Sequence, residues 1–145
     1  MTAAPNEPVS AEALARAVAA IFEGCGVAPE AAAIVAEDLV AADIEGVASH
    51  GVMLVPMYVE RLKAGSVAKG SQGQVVSDND AAVVIDAGDV LGQLTARQAV
   101  GIAIERARKF GMATVAVRNA FHFGTAGRYA RMMADAGAVG IVMSN

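Results

Sequence analysis

The sequence predicts a mixed α/β fold, with an N-terminal helical region followed by the alternating strands and helices of an incomplete mixed sheet. Three observations predict it. Apolar residues recur with a helical period through the first half, short unbroken apolar runs of strand length alternate with helical patterns in the second, and a polar, Gly-containing stretch from Val67 to Asp80 separates them. The expected division is a helical region over residues 1–70 and a partial α/β region over 71–145.

In chain order, Ser10 is an N-cap candidate. Leu14, Val18, Ile21 and Phe22 behind it form one apolar helical face, and Gly24 and Gly26 supply a stop. A second helix is expected from Pro29, where a missing N–H costs nothing, carrying Ile34, Val35, Leu39 and Ala42 toward Gly46. Val55, Val59 and Leu62 mark a third that ends at Gly65. Pro56 is tolerated only in a first turn, so this helix is expected to begin near Leu54 or Val55, leaving Ser49 to Met53 as a turn or short helical piece. Val67 to Asp80 reads as a surface connection or a ragged hairpin. Ala82 to Ile85 is a predicted strand, followed by a helix with Ala96, Val100, Ala103, Ile104 and Ala107 on one face. Thr114 to Val117 is a second strand, about Thr125 to Ala136 a helix, and Val139 to Met143 a third strand.

Composition narrows the functional classes. The chain has 145 residues, enough to bury a core, and is 55% hydrophobic with only 4% aromatic residues and no tryptophan. A net charge of −4 offers no global basic field for nucleic acid or an anionic membrane. Cys25 is the only cysteine, which excludes an internal disulfide and leaves no cysteine pair for zinc; a reducing cytoplasm is the expected compartment. The N-terminal MTAAPNEPVS lacks the basic start and apolar run of a signal peptide, and longer apolar stretches are broken by charge or glycine, so no membrane segment is expected. The sequence stops just after an apolar run expected to be a central strand. It is therefore expected to be a shortened form.

Two histidines carry the strongest chemical signal. His50 sits in Ser49-His50-Gly51 and His122 in Asn119-Ala120-Phe121-His122-Phe123-Gly124, and histidine is the side chain whose charge changes near neutral pH. Taken alone, the first motif better fits an N-cap serine, a partly buried polar histidine and a turn glycine. His122 precedes a helix opening at Gly124-Thr125-Ala126-Gly127, a position where α/β loops gather ligands and where helix N–H groups could face a phosphate or carboxylate. The same glycines equally suit tight helix–strand packing. Arg118, Asn119, Arg128 and Arg131 fit either phosphate contact or a solvated surface. There is no G-x-G-x-x-G, no P-loop and no catalytic triad, and Asp78, Asp80, Asp86 and Asp89 fit turns better than a metal site. No metal is expected.

The stretch DIEGVASHGVMLVPMY from Asp43 to Tyr58, VRNAFHFGTAGRY from Val117 to Tyr129, and the closing GIVMSN together resemble the N-terminal part of the malate/L-lactate dehydrogenase family, the type that does not use the standard Rossmann fold. The similarity runs in order from about Val9 to Asn145. It implies an oxidoreductase that moves hydride between NADH or NADPH and a 2-oxo or 2-hydroxy acid, or a cyclic imino acid, and residues 71–145 would be part of its cofactor-binding region. Reduction of a carbonyl also needs a proton for the nascent alkoxide. The resemblance implies His50 as that donor with Ser49 in support, and a cofactor and substrate cleft lined by His122, Gly124, Thr125 and Gly127 and by Ser144 and Asn145. It also implies a homodimer.

Two positions depart from the family pattern. Glu45 stands where many members have arginine, and Leu54 replaces an arginine suited to grip a substrate carboxylate. A rival reading is a binding or oligomerisation module without catalysis, which would form a stable dimer indifferent to nucleotide.

Overall fold

The computed structural model describes residues 8–144. It contains five helices and one three-stranded mixed sheet. Helix α1 covers Ala11–Gly24, and Ser10 caps it by accepting a hydrogen bond from the Ala13 N–H at 3.2 Å. Helix α2 covers Pro29–Ile44 with Pro29 in its first turn. Two 3₁₀ turns, Ala48–His50 and Val52–Leu54, lead into α3 over Val55–Ala64, so Pro56 falls in a first turn as its missing N–H requires. Gly65 ends α3 in the left-handed conformation.

The polar stretch after α3 is a hairpin arm. Strand β1, Gln74–Asn79, turns through Asp80 and Ala81 and pairs antiparallel with β2, Ala82–Asp86, with a register shift between Val75 and Ser77. Helix α4, Gly92–Phe110, then carries the chain to β3, Thr114–Arg118, which lies parallel to β2. The sheet order is β1-β2-β3. Helix α5, Ala126–Asp135, follows the His122 loop.

A single apolar cluster ties these parts together. Phe22, Val35, Leu39, Tyr58 and Leu62 from α1 to α3 pack with Val67, Val90, Leu91 and Leu94, and Phe121 lies against them. The start of α4 and the loop before α5 are thereby anchored on the helical layer. Both histidines sit along this seam.

One expected element is absent. Val139 to Met143 does not form a strand among the described residues. An apolar run becomes a strand only where another strand can take its backbone groups, and here the chain instead turns back at Gly137 and lies on α5. A Cβ on Gly140 would stand 2.5 Å from the Met133 side chain, while Val139, Ile141 and Met143 point outward and are exposed. No described helix is both long and apolar enough to cross a membrane.

Candidate active site

His50 and His122, far apart in sequence, come face to face. Their ring centroids are 5.3 Å apart and the planes are tilted by 36°. Each histidine is half-buried, and each has its Nδ1 engaged by a different hydroxyl. Ser49 Oγ lies 3.0 Å from His50 Nδ1. Tyr58 Oη lies 2.7 Å from His122 Nδ1.

Local sequence explains how His50 is held. The Asp43 carboxylate at the end of α2 accepts the Val52 N–H at 2.9 Å, across the mouth of the turn that carries Ser49 and His50. Gly51 lies so close to this carboxylate that a Cβ there would stand 2.0 Å from an oxygen. The glycine of Ser-His-Gly is therefore needed for close approach to Asp43, which a turn glycine alone would not require.

His122 is positioned from three directions. Tyr58, on the buried face of α3, meets its ring, with Phe121 edge-on to the same tyrosine at 5.3 Å. Gln93, fully buried in the first turn of α4, donates from Nε2 to Tyr58 Oη at 2.8 Å. The third support is Tyr129 of α5, which donates to the Phe123 carbonyl and stacks on the Phe123 ring, fixing the loop just past the histidine. Tyr58 and Gln93 are absent from the site read in the sequence. Tyr58 falls on an apolar helical face and so looks like core, while Gln93 is one polar residue in a helix start. A lone buried amide beside a buried phenol is the signal, and it exists only in three dimensions.

Electrostatics distinguishes the two rings. Burial, and then the neighbouring His50, push the His122 pKa below the ordinary histidine value, while burial pushes the Tyr58 phenol up to about 12, so it stays protonated at neutral pH. A histidine whose folded pKa is depressed contributes stability above its unfolded value and loses it as pH falls through the folded value. Acidification below about pH 6.5 is therefore expected to lower the urea midpoint of the wild type more than that of His122→Asn. Equal pH dependence in the two proteins would contradict the buried, neutral state of His122.

The remaining residues of interest divide clearly. Gly124 adopts φ +88°, and a Cβ on either Gly124 or Gly127 would meet nothing within 4 Å, so this backbone is open to approach. Thr125 is the N-cap of α5 but its side chain makes no capping bond, which leaves first-turn N–H groups without a side-chain acceptor. Ser144 is exposed beyond α5, and Asn145 lies outside the described residues. Arg118 and Asn119 both bind Asp86, at 2.9 Å and 3.0 Å, and Asn119 and the Gly88 N–H hold that carboxyl below its usual range. They tie the end of β3 to the end of β2.

Arg128 and Arg131 are likewise engaged with carboxylates. Arg128 reaches Glu37 at 2.7 Å and the buried Asp38, and Arg97 from α4 joins the same two acids. Arg131 meets Glu45 at 2.8 Å. Glu37, Glu45, these three arginines, Met132 and Asp135 surround a cleft of about 260 Å³. Burial opposes ionisation of Glu37, but Arg97 and Arg128 outweigh it and hold its carboxyl below the ordinary range.

The sequence model of the malate/L-lactate dehydrogenase family matches residues 9–145, nearly the whole chain. The chain belongs to that family. It is 37% identical over 128 residues to a malate dehydrogenase of Pyrococcus abyssi, covering 88% of this chain and 35% of that protein. It is 36% identical over 125 residues to an L-sulfolactate dehydrogenase of Methanocaldococcus jannaschii, covering 86% of this chain and 36% of that one. The solved malate dehydrogenase of Pyrococcus horikoshii superposes with a TM-score of 0.87 at 34% identity, over 90% of this chain and 38% of the other. This family member thus spans little more than a third of the length of these relatives, and its mixed α/β architecture is the one they share.

Proposed function

We propose that this protein takes part in nicotinamide-dependent reduction of a small 2-oxo acid to the 2-hydroxy acid, or the reverse, with His50 as the proton donor. The observation that carries the reading is the His50–His122 pair, because both family motifs contribute a histidine to one half-buried spot. As a carbonyl accepts hydride its oxygen becomes an alkoxide, and an imidazolium within hydrogen-bond reach supplies the proton. Ser49, bonded to His50 Nδ1, accepts from that nitrogen when the ring is charged and leaves Nε2–H for the substrate oxygen. His122, kept neutral, does not compete as an acid.

NADH or NADPH would supply the hydride. The open backbone at Gly124 and Gly127 and the uncapped first turn of α5 at Thr125 suit a phosphate of such a cofactor, and we include Ser144 and Asn145 in its surroundings. Arg128 and Arg131 face carboxylates and are left out of that role. We take a homodimer with the cleft near the subunit boundary as the working assembly.

The test is nicotinamide absorbance in the presence of pyruvate, oxaloacetate and larger 2-oxo acids, with NADH and NADPH in turn. His50→Ala is expected to lower kcat by about 10²–10⁴-fold, with Ser49→Ala milder. Undiminished turnover in His50→Ala would remove this residue from the chemistry. A stable dimer that neither binds nucleotide nor turns over substrate would favour the non-catalytic module.

A further inference from the structure

A buried hydrogen-bond chain runs from α4 through α3 to the site, and its direction can be worked out atom by atom. Gln93 is completely buried; its Nε2 donates to Tyr58 Oη at 2.8 Å, and its Oε1 has no hydrogen-bond partner among the described residues. The reverse amide orientation would put the carbonyl on Tyr58 and the N–H pair where the carbonyl now stands alone, and an orphaned N–H is the rarer state in protein interiors. With one N–H already received, the phenol has a single hydrogen to give. Two acceptors lie within reach, His122 Nδ1 at 2.7 Å and the His122 carbonyl at 3.3 Å. The shorter contact is of ordinary O–H donor length and the longer is beyond it, so the hydrogen goes to Nδ1. A nitrogen that accepts is unprotonated. The proton of the neutral ring must then be on Nε2, at the ring edge opposite Tyr58.

We propose that Gln93 is a positioning residue that, through Tyr58, fixes His122 as the Nε2–H tautomer and so presents one hydrogen-bond donor beside His50. Given the reading above, that donor faces an acceptor oxygen of the bound 2-oxo acid. Gln93 touches neither substrate nor cofactor; it acts by closing the other direction of the relay. The orphaned Oε1 is the cost of this arrangement. The result is division of labour between two like side chains, with His50 free to exchange a proton and His122 held as a fixed donor.

The chain contains only these two histidines, which makes the test direct. Protein labelled with ¹⁵N at histidine is examined by nitrogen–proton correlation at pH 8, where the rings are neutral. Wild type should show a pyridine-type Nδ1 and a pyrrole-type Nε2 for His122, assigned by its loss in His122→Asn. In Gln93→Glu the carboxylate, once the pH is raised far enough to ionise it against its burial, can only accept, so Tyr58 turns to it and the two His122 signal types should exchange. In Gln93→Met the phenol loses its donor and becomes free to face either way, so the signals should move toward averaged positions. A merely structural role would disturb backbone amide shifts near α4 and leave the ring signals as in wild type. Retention of wild-type ring signals in both folded variants, or a pyrrole-type Nδ1 in wild type, overturns the proposal. If neither variant folds, the wild-type spectrum and that of Tyr58→Phe decide, since loss of the phenol must shift Nδ1 toward an unbonded position. No substrate is needed, so these outcomes are independent of whether the dehydrogenase reading holds.

Discussion

Gly92→Ala should lower the unfolding free energy by about 3 kcal/mol, even though the substitution adds only one methyl group at the start of a helix. A Cβ at Gly92 would stand 2.2 Å from the Phe121 carbonyl oxygen and 2.6 Å from that of His122. Both are backbone atoms, so no rotamer change relieves the clash. Either α4 moves off the seam, which opens the contact of Leu91 and Leu94 with the helical layer, or the 121–122 loop moves and takes the histidine away from Tyr58. Gly101 supplies the control. It lies on the same helix with nothing within 4 Å of a Cβ, so Gly101→Ala should stabilise by about 0.5–1 kcal/mol through helix propensity. Urea denaturation of the three proteins checks the pair; equal midpoints for both alanine variants would mean that α4 and the loop are not in the close contact described.

Asp38→Ala is expected to cost about 3 kcal/mol, the low end for a broken buried ion pair. The Asp38 side chain is only 3% exposed and receives both Arg97 from α4 and Arg128 from α5. Removing it leaves two partly buried guanidinium groups to share Glu37, whose side chain is 61% exposed and which therefore offers a weaker, solvent-screened partner. Glu37→Gln should accordingly cost less than about 1 kcal/mol. High salt should narrow the small Glu37 effect and barely change the large Asp38 one. Thermal and urea unfolding at low and high ionic strength give the comparison, and equal losses for the two acids would show that Asp38 is not the hub joining α2, α4 and α5.

The N-terminal helices were legible because their signals are local. Ser10, Pro29, Pro56 and Gly65 each mark a boundary through backbone chemistry that needs no distant partner, and the observed helices start and stop at them. The Val139 to Met143 run carries the apolar signal of a strand but no information on whether a ladder partner exists, and pairing is what makes a strand. At the site, Ser49, His50 and His122 stand out by residue type. Their juxtaposition does not, nor does the role of Tyr58, which shares its helix face with core residues. Asp38 was hidden for a related reason. Helix α2 is apolar on most sides, so an acid within it reads as part of a solvated stripe, whereas here it is nearly the deepest charge described.

The contact between Tyr58 and His122 joins positions 64 residues apart, and closing a flexible loop of that length carries an entropic term of about 4 kcal/mol. One hydrogen bond, with a net contribution of about 1 kcal/mol, cannot close it. Val90, Leu91 and Leu94 on the helical layer must do so, and the histidines meet as a by-product of their burial. Chain continuity between α3 and the His122 loop is thus a component of the site: a peptide carrying either motif alone retains its histidine and has no pair, and a protease cut in the β1–β2 hairpin turns an intramolecular encounter into a bimolecular one.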